Sequence, residues 1–186
     1  MSSHIPKVQD GPLPLPTQGA HGEDDKKTAT ATCYCGTVQL EFPTEGENFV
    51  DTFICNCSDC RKITASMFAS NFIIADAGVK HLRGQDKLTR YAQRDTIKSG
   101  CEMANFFCSV CGTLMYRVGT GFPGNKVMRI GTVDDYSLHE TKLKPRVEQF
   151  TKDRVNWFKG GEGVEQVEGS YFNGKEPSGR KRQQSP

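Results

Sequence analysis

Chemistry in this chain concentrates at its cysteines. There are eight, unevenly spaced: Cys33 and Cys35 in "CYC", Cys55, Cys57 and Cys60 in "ICNCSDCRKITA", Cys101 alone, and Cys108 and Cys111 in "CSVCG". Three thiols within six positions could be a redox group, part of a disulfide framework or part of a metal site. The opening stretch "MSSHIPKVQDGPLPLPTQGAHGEDDKK" has neither the apolar segment nor the charge layout of a secretory signal. A cytoplasmic location is therefore expected, and a reducing compartment disfavours structural disulfides while favouring metal binding or catalysis.

A Cys-x-x-Cys turn with glycine directly after it, as in Cys108, Cys111 and Gly112, is a zinc-knuckle arrangement, because the tight turn presents both sulfurs to one ion. One knuckle supplies half a tetrahedron. Cys33 and Cys35 are the natural donors of the other half, which makes Cys33, Cys35, Cys108 and Cys111 a closed structural zinc site contributing on the order of 10 kcal/mol to folding. The plainer alternatives are buried thiols or a redox pair, although no βαβ pattern adjoins. Cys55, Cys57 and Cys60 can then hold a second Zn2+ through three protein ligands, leaving one position for water or substrate, as catalytic zinc does. Closure of that site by Cys101 or a histidine would make it inert, and Cys101 otherwise reads as a small buried hydrophobe. Zinc with three thiolates carries a formal charge of about −1 and suits a thiol ligand better than an activated water. Arg61 and Lys62, directly after the cluster, could spread that charge or simply be solvated surface.

The elements that position these residues read as mainly β. "TVQLEF" (37–42) alternates Val38, Leu40 and Phe42 with polar residues, and "TLMYRV" (113–118) places Leu114, Tyr116 and Val118 on one face. Further strands are expected in "MFASNFII" (67–74), "KLTRYA" (87–92) and "KVMRIGTV" (126–133). Only "SDCRKITA" and "DDYSLHE" invite short helical turns, each with a Ser or Asp able to cap its start. A chain of 186 residues suggests one ordinary domain. We place it at residues 29–168, between a Pro- and Gly-rich disordered arm (1–28) and a disordered basic tail (169–186) that ends around Arg180, Lys181 and Arg182. A net charge of +2 gives no global case for nucleic-acid binding, and no apolar run is long enough to span a bilayer.

The motifs "CYCG" (33–36), "CNCSDCRK" (55–62), "FFCSVCGTLMYR" (106–117), "IGTVDD" (130–135) and "KPRVEQFTKDRVNW" (144–157), in this order, resemble those of the glutathione-dependent formaldehyde-activating enzyme family, which includes centromere protein V. The resemblance implies small β-sheets wrapped around zinc, a fold shared with a Rab guanine-nucleotide-exchange chaperone. It implies a closed zinc site at Cys33, Cys35, Cys108 and Cys111, and a catalytic zinc at Cys55, Cys57 and Cys60. The implied activity is that of a carbon–sulfur lyase joining glutathione and formaldehyde, with a thiol or thiol adduct as the small-molecule partner. The competing expectation is a non-catalytic, zinc-stabilised binding module for a protein or nucleic-acid partner, motivated by the basic tail and the centromeric relative. Where relatives often carry histidine this chain has Glu148, so no histidine is assigned to proton transfer there. His139 reads as a surface residue, and Trp157 and Phe158 as core or pocket wall. Asp134 and Asp135 look like turn or capping residues; either of them, or Glu102, could move a proton.

Overall fold

The computed structural model describes residues 27–172. The arm expected at 1–28 and the tail expected at 169–186 lie outside these residues, apart from 27–28 and 169–172. In chain order the elements are Thr28–Thr32 (β1), Gln39–Pro43 (β2), Phe49–Cys55 (β3), Ser58–Thr64 (α1), Ala69–Ala75 (β4), Lys80–Arg83 (β5) and Leu88–Gln93 (β6). There follow Met103–Cys108 (β7), Leu114–Gly119 (β8), Asn125–Arg129 (β9), Ser137–Glu140 (α2), Val147–Gln149 (β10) and Glu165–Val167 (β11). The fold is mainly β, as the alternation predicts. One sheet dominates it, however: eight strands run in the order β11-β10-β3-β4-β9-β8-β7-β6 beside a three-stranded β1-β2-β5 sheet, where several small sheets were expected. Among the described residues no helix is long and apolar enough to cross a membrane.

Period-two alternation divides the large sheet between two cores. Phe72 and Ile74 of β4 and Met128 of β9 join Leu40 and Phe42 of β2 in the main core, where the Phe42 and Phe72 rings lie 4.7 Å apart. Their neighbours Ile73 and Val127 point the other way, into a second core with Phe53, Ala69 and Val147. Each fully buried Phe or Ile contributes about 1.5–3 kcal/mol. Cys33 and Cys108 belong to the main core, whereas Cys55 and Cys60 belong to the second. The two cysteine groups are thus built into different cores of one fold.

Three departures from the sequence reading matter for the site. Pairing of β7 with β8 slips between Phe106 and Phe107, leaving Met115 as an extra residue opposite them. Such a bulge breaks the alternation. Met115 therefore replaces Leu114 beside Tyr116 and Val118 on the main core, while Arg117, between the last two, lies on the other side as alternation requires. The strand expected over 126–133 stops at Arg129, where a 3-10 turn at Ile130–Thr132 takes over. Strands β3 and β7, "FVDTFIC" and "MANFFC", give no clear alternation; β3 is buried along nearly its whole length, so its apolar residues run on both faces.

The second core is completed from the far end of the described chain. The rings of Tyr171 and Phe172 lie 5.7 and 5.6 Å from that of Phe53, so the residues just past the expected boundary at 168 are packed. Tyr171 donates its hydroxyl to Asp51 Oδ2 at 3.3 Å, and Arg146 grips the same carboxylate through two bonds of 2.9 and 2.7 Å.

Candidate metal centre

Both halves of the four-cysteine group end in the same tripeptide, Cys-Gly-Thr, at 35–37 and 111–113. Gly36 (φ 76°) and Gly112 (φ 75°) are left-handed, a conformation that costs other residues about 1–2 kcal/mol. Each glycine N–H closes its turn onto the carbonyl of the first cysteine, at 2.9 Å to Cys33 and 2.8 Å to Cys108. The threonine hydroxyls then sit 3.1 Å from Cys35 Sγ and 3.2 Å from Cys111 Sγ, and the Val38 N–H donates to Cys33 Sγ at 3.1 Å. Sulfur separations are 3.5 Å for Cys33 and Cys35 and 3.7 Å for Cys35 and Cys108. A tetrahedron with zinc–sulfur bonds of about 2.3 Å has corners about 3.8 Å apart, whereas a disulfide would need about 2.0 Å. The spacing fits four sulfurs around one ion. Burial pushes Cys33 up to about 12; at Cys111 burial is outweighed by the Thr113 hydroxyl and nearby N–H groups, which bring it down to about 6.

The second group is assembled from a strand end and a helix start. Cys55 closes β3, Cys57 caps α1, and Cys60 lies in the first turn of that helix. The Cys57 sulfur accepts the Cys60 N–H at 3.4 Å, so a cysteine fills the capping position that the sequence offered to Ser58 or Asp59. Cys55 and Cys57 place their sulfurs 3.4 Å apart, and all three sulfurs lie within 4.8 Å of one another. Cys55 and Cys60 are buried while Cys57 keeps partial exposure, so the group meets solvent at Cys57. Among the described residues no further His, Cys, Asp or Glu joins either group. Cys101 stands apart, half-buried beside Gly121.

Strand register brings two cations to the three-cysteine group. Phe53 pairs with Asn71 and Asn71 with Arg129; one row along, Ile73 pairs with Val127 and Val127 with Arg117. Residues directly opposite share a face, so Arg117, Arg129 and Asn71 lie on the side of Phe53 and Cys55. Arg117 Nη1 donates to Cys60 Sγ at 3.3 Å. Arg129, only 6% exposed, donates from Nη1 to Asn71 Oδ1. The Nε of both arginines and Nη2 of Arg129 are shielded from water without a hydrogen-bonding partner. Buried cations of this kind need nearby negative charge. Contacts with Cys55 and Cys57, then the charges of Arg117 and Arg129, hold Cys60 well below the ordinary thiol value, while its sulfur neighbours and burial drive Cys55 far up. Burial and the like charge of Arg117 bring Arg129 down to about 10. Three soft sulfur donors with two cations alongside suit a divalent, thiophilic ion such as zinc.

A cleft of about 520 Å³ is lined by Ile63 and Phe68 after the α1 cysteines, Ala69 of β4, Thr113 and Leu114 after the knuckle, and Arg129, with none of the cysteines themselves in its wall. A family model described as "Glutathione-dependent formaldehyde-activating enzyme" matches residues 28–153, which contain both cysteine groups. The chain belongs to this family. Among solved structures, a Rhodobacter sphaeroides protein determined as a structural genomics target is similar at 23% identity, with a TM-score of 0.45 over 57% of this chain and 88% of that one. No curated protein matches.

In this member of the glutathione-dependent formaldehyde-activating enzyme family, several side chains with expected roles are engaged elsewhere. Arg61 donates to the Asp153 carbonyl at 3.1 Å and to Met67 Sδ at 3.6 Å, and Lys62 is exposed; the cations beside the triad are Arg117 and Arg129 instead. Asp134 accepts the Thr30 and Thr32 hydroxyls, both at 2.6 Å, Asp135 accepts from Ser137 at the start of α2, and Glu102 pairs with Arg90 and Arg94. His139 is half-buried against Tyr136, not a surface residue. Trp157 is 70% exposed and so not core, whereas Phe158 stacks on the cleft residue Phe68 at 4.7 Å. The two site arginines were missed, although a signal existed. Each interrupts an apolar strand run, "LMYRV" and "KVMRI", and a charge at such a position needs a buried partner.

Proposed function

We propose that the protein is a zinc-dependent carbon–sulfur lyase that makes or breaks the bond between a thiol, glutathione first among candidates, and an electrophilic carbon such as that of formaldehyde. One observation carries this reading: among the described residues the three converging sulfurs have no fourth side-chain donor, yet the guanidinium groups of half-buried Arg117 and buried Arg129 lie beside them. In this reading Cys33, Cys35, Cys108 and Cys111 hold a structural zinc, and Cys55, Cys57 and Cys60 hold the catalytic one. When bound, a three-thiolate zinc with an open position keeps an incoming sulfur deprotonated and nucleophilic at neutral pH.

The chain's own residues supply the rest. Arg117 and Arg129 offset the negative charge of the cysteine sulfurs and favour an arriving thiolate over a neutral ligand. The cleft offers Ile63, Phe68 and Leu114 to the apolar parts of the thiol, and the hydroxyls of Ser66, Ser70 and Thr132 to its polar parts. In the forming direction the thiol gives its proton to solvent, the sulfur adds to the carbonyl carbon as the carbon–oxygen π bond opens, and the oxygen takes a proton from solvent. The reverse breaks the same bond. With Asp134, Asp135 and Glu102 all engaged elsewhere, no side chain is assigned to that proton. Eight free cysteines accord with a cytoplasmic protein. The kinship of the fold with the Rab exchange chaperone rests on the family resemblance.

The test is a screen of the full-length, zinc-loaded protein against glutathione, cysteine and other small thiols, each with formaldehyde and larger aldehydes, following adduct formation and breakdown by NMR. A saturable rate with at least one pair, lost on chelation, is expected. Two tightly held metals with no turnover of any pair would favour the non-catalytic binding module.

A further inference from the structure

Asn56 lies between Cys55 and Cys57, and its side chain is fully buried. Its backbone N–H donates to the Gln149 carbonyl at 3.2 Å, and its Nδ2 donates both to that carbonyl at 3.2 Å and to Glu148 Oε1 at 2.8 Å. Glu148 is itself at 0% exposure, on the short strand β10 that pairs in parallel with the end of β3. Its second oxygen accepts from Arg154 Nη1 at 3.1 Å, and the same nitrogen donates to Gln166 Oε1 at 3.1 Å. Gly160 (φ 88°) closes the box: a Cβ there would sit 2.4 Å from Glu148 Oε2 and 2.6 Å from Arg154 Nη1. Both carboxylate oxygens are therefore committed, and position 160 has room for no side chain beside them. Glu148 is not a member of the sulfur group.

A sealed carboxylate is costly to bury, and the β3–β10 ladder needs only backbone groups. Its one link toward chemistry is Asn56. We propose that Glu148 is a positioning residue: held by Arg154, it clamps Asn56 and so fixes the Cys55-Asn56-Cys57 turn at the sulfur spacing an ion needs. This rests on the reading of Cys55, Cys57 and Cys60 as a metal centre and adds to it the device that sets its affinity. Partners of metal ligands typically alter affinity about 10–100-fold when removed.

The test compares the zinc-loaded full chain with Glu148→Ala, Asn56→Ala and the double variant, measuring each metal's affinity by chelator competition, with Cys60→Ser as the one-metal reference. We expect each single variant to weaken one metal about 10–100-fold and leave the other unchanged, and the double variant to lose no more than Glu148→Ala alone, because both act through one link. Asn56→Ala keeps the Glu148–Arg154 pair, so it decides the matter if Glu148→Ala fails to fold. Unchanged affinity, equal weakening of both metals, or additive losses in the double variant would overturn the proposal. A parent protein that binds a single metal would overturn the metal-centre reading along with it.

Discussion

Cys60→Ser lowers turnover of the best thiol adduct by about a thousandfold and leaves a folded protein with one metal. The size follows from what the site is asked to supply: several kcal/mol of charge stabilisation at the reacting sulfur, with each 1.4 kcal/mol worth about tenfold in rate. Cys60 is the sulfur most biased toward the thiolate, and the one that accepts from Arg117. Serine removes the soft donor and leaves the guanidinium facing a neutral hydroxyl, a loss of about 1–3 kcal/mol. That is small beside the roughly 5–15 kcal/mol of a typical domain, and the main core lies in other residues. Circular dichroism therefore still reports a folded protein, with a cooperative melt lowered by roughly 5–10 °C, while kcat/KM collapses and metal content halves. A variant with full activity contradicts the catalytic assignment.

Cys108→Ser has the opposite signature: the protein loses its cooperative melt. Cys108 and Cys35 are 73 positions apart, and their sulfurs help to tie the start of the domain to the β7–β8 hairpin. A structural zinc in such a site is worth about 10–16 kcal/mol, comparable to the whole stability of an ordinary domain. Packing of Cys33 and Cys108 within the main core adds to the loss. Thermal unfolding followed by circular dichroism separates the two groups. A Cys108→Ser protein melting at the parental midpoint would show that the four-cysteine group does not brace the fold.

The two groups proposed for these roles were legible in the sequence. Knuckle chemistry is local: a Cys-x-x-Cys followed by Gly112 announces its turn from four adjacent residues, and the division of seven cysteines into four and three follows from spacing alone. Strand β2 was equally plain, since Leu40 and Phe42 alternate with polar neighbours over one buried face. What escaped depends on register. Arg117 reaches Cys60 because β8 pairs with β9 at Val127, and Arg129 comes beside it because β9 pairs with β4 through Asn71. The Glu148–Asn56 bond joins residues 92 positions apart across a parallel pair of three residues, too short to leave a periodic trace. Of the nearest charges in the sequence, half-buried Arg61 binds the Asp153 carbonyl and Lys62 is solvated surface, the second of the two roles open to them.

The most direct measurement replaces zinc with cobalt(II) and records the sulfur-to-metal charge-transfer and ligand-field spectrum during titration with the thiol substrate. One of two bound cobalt ions is predicted to change its spectrum saturably toward four-sulfur coordination, while the other stays constant throughout; Cys60→Ser abolishes the change. Two ions that are both four-coordinate in sulfur from the outset and indifferent to added thiol would contradict an exchangeable position at Cys55, Cys57 and Cys60.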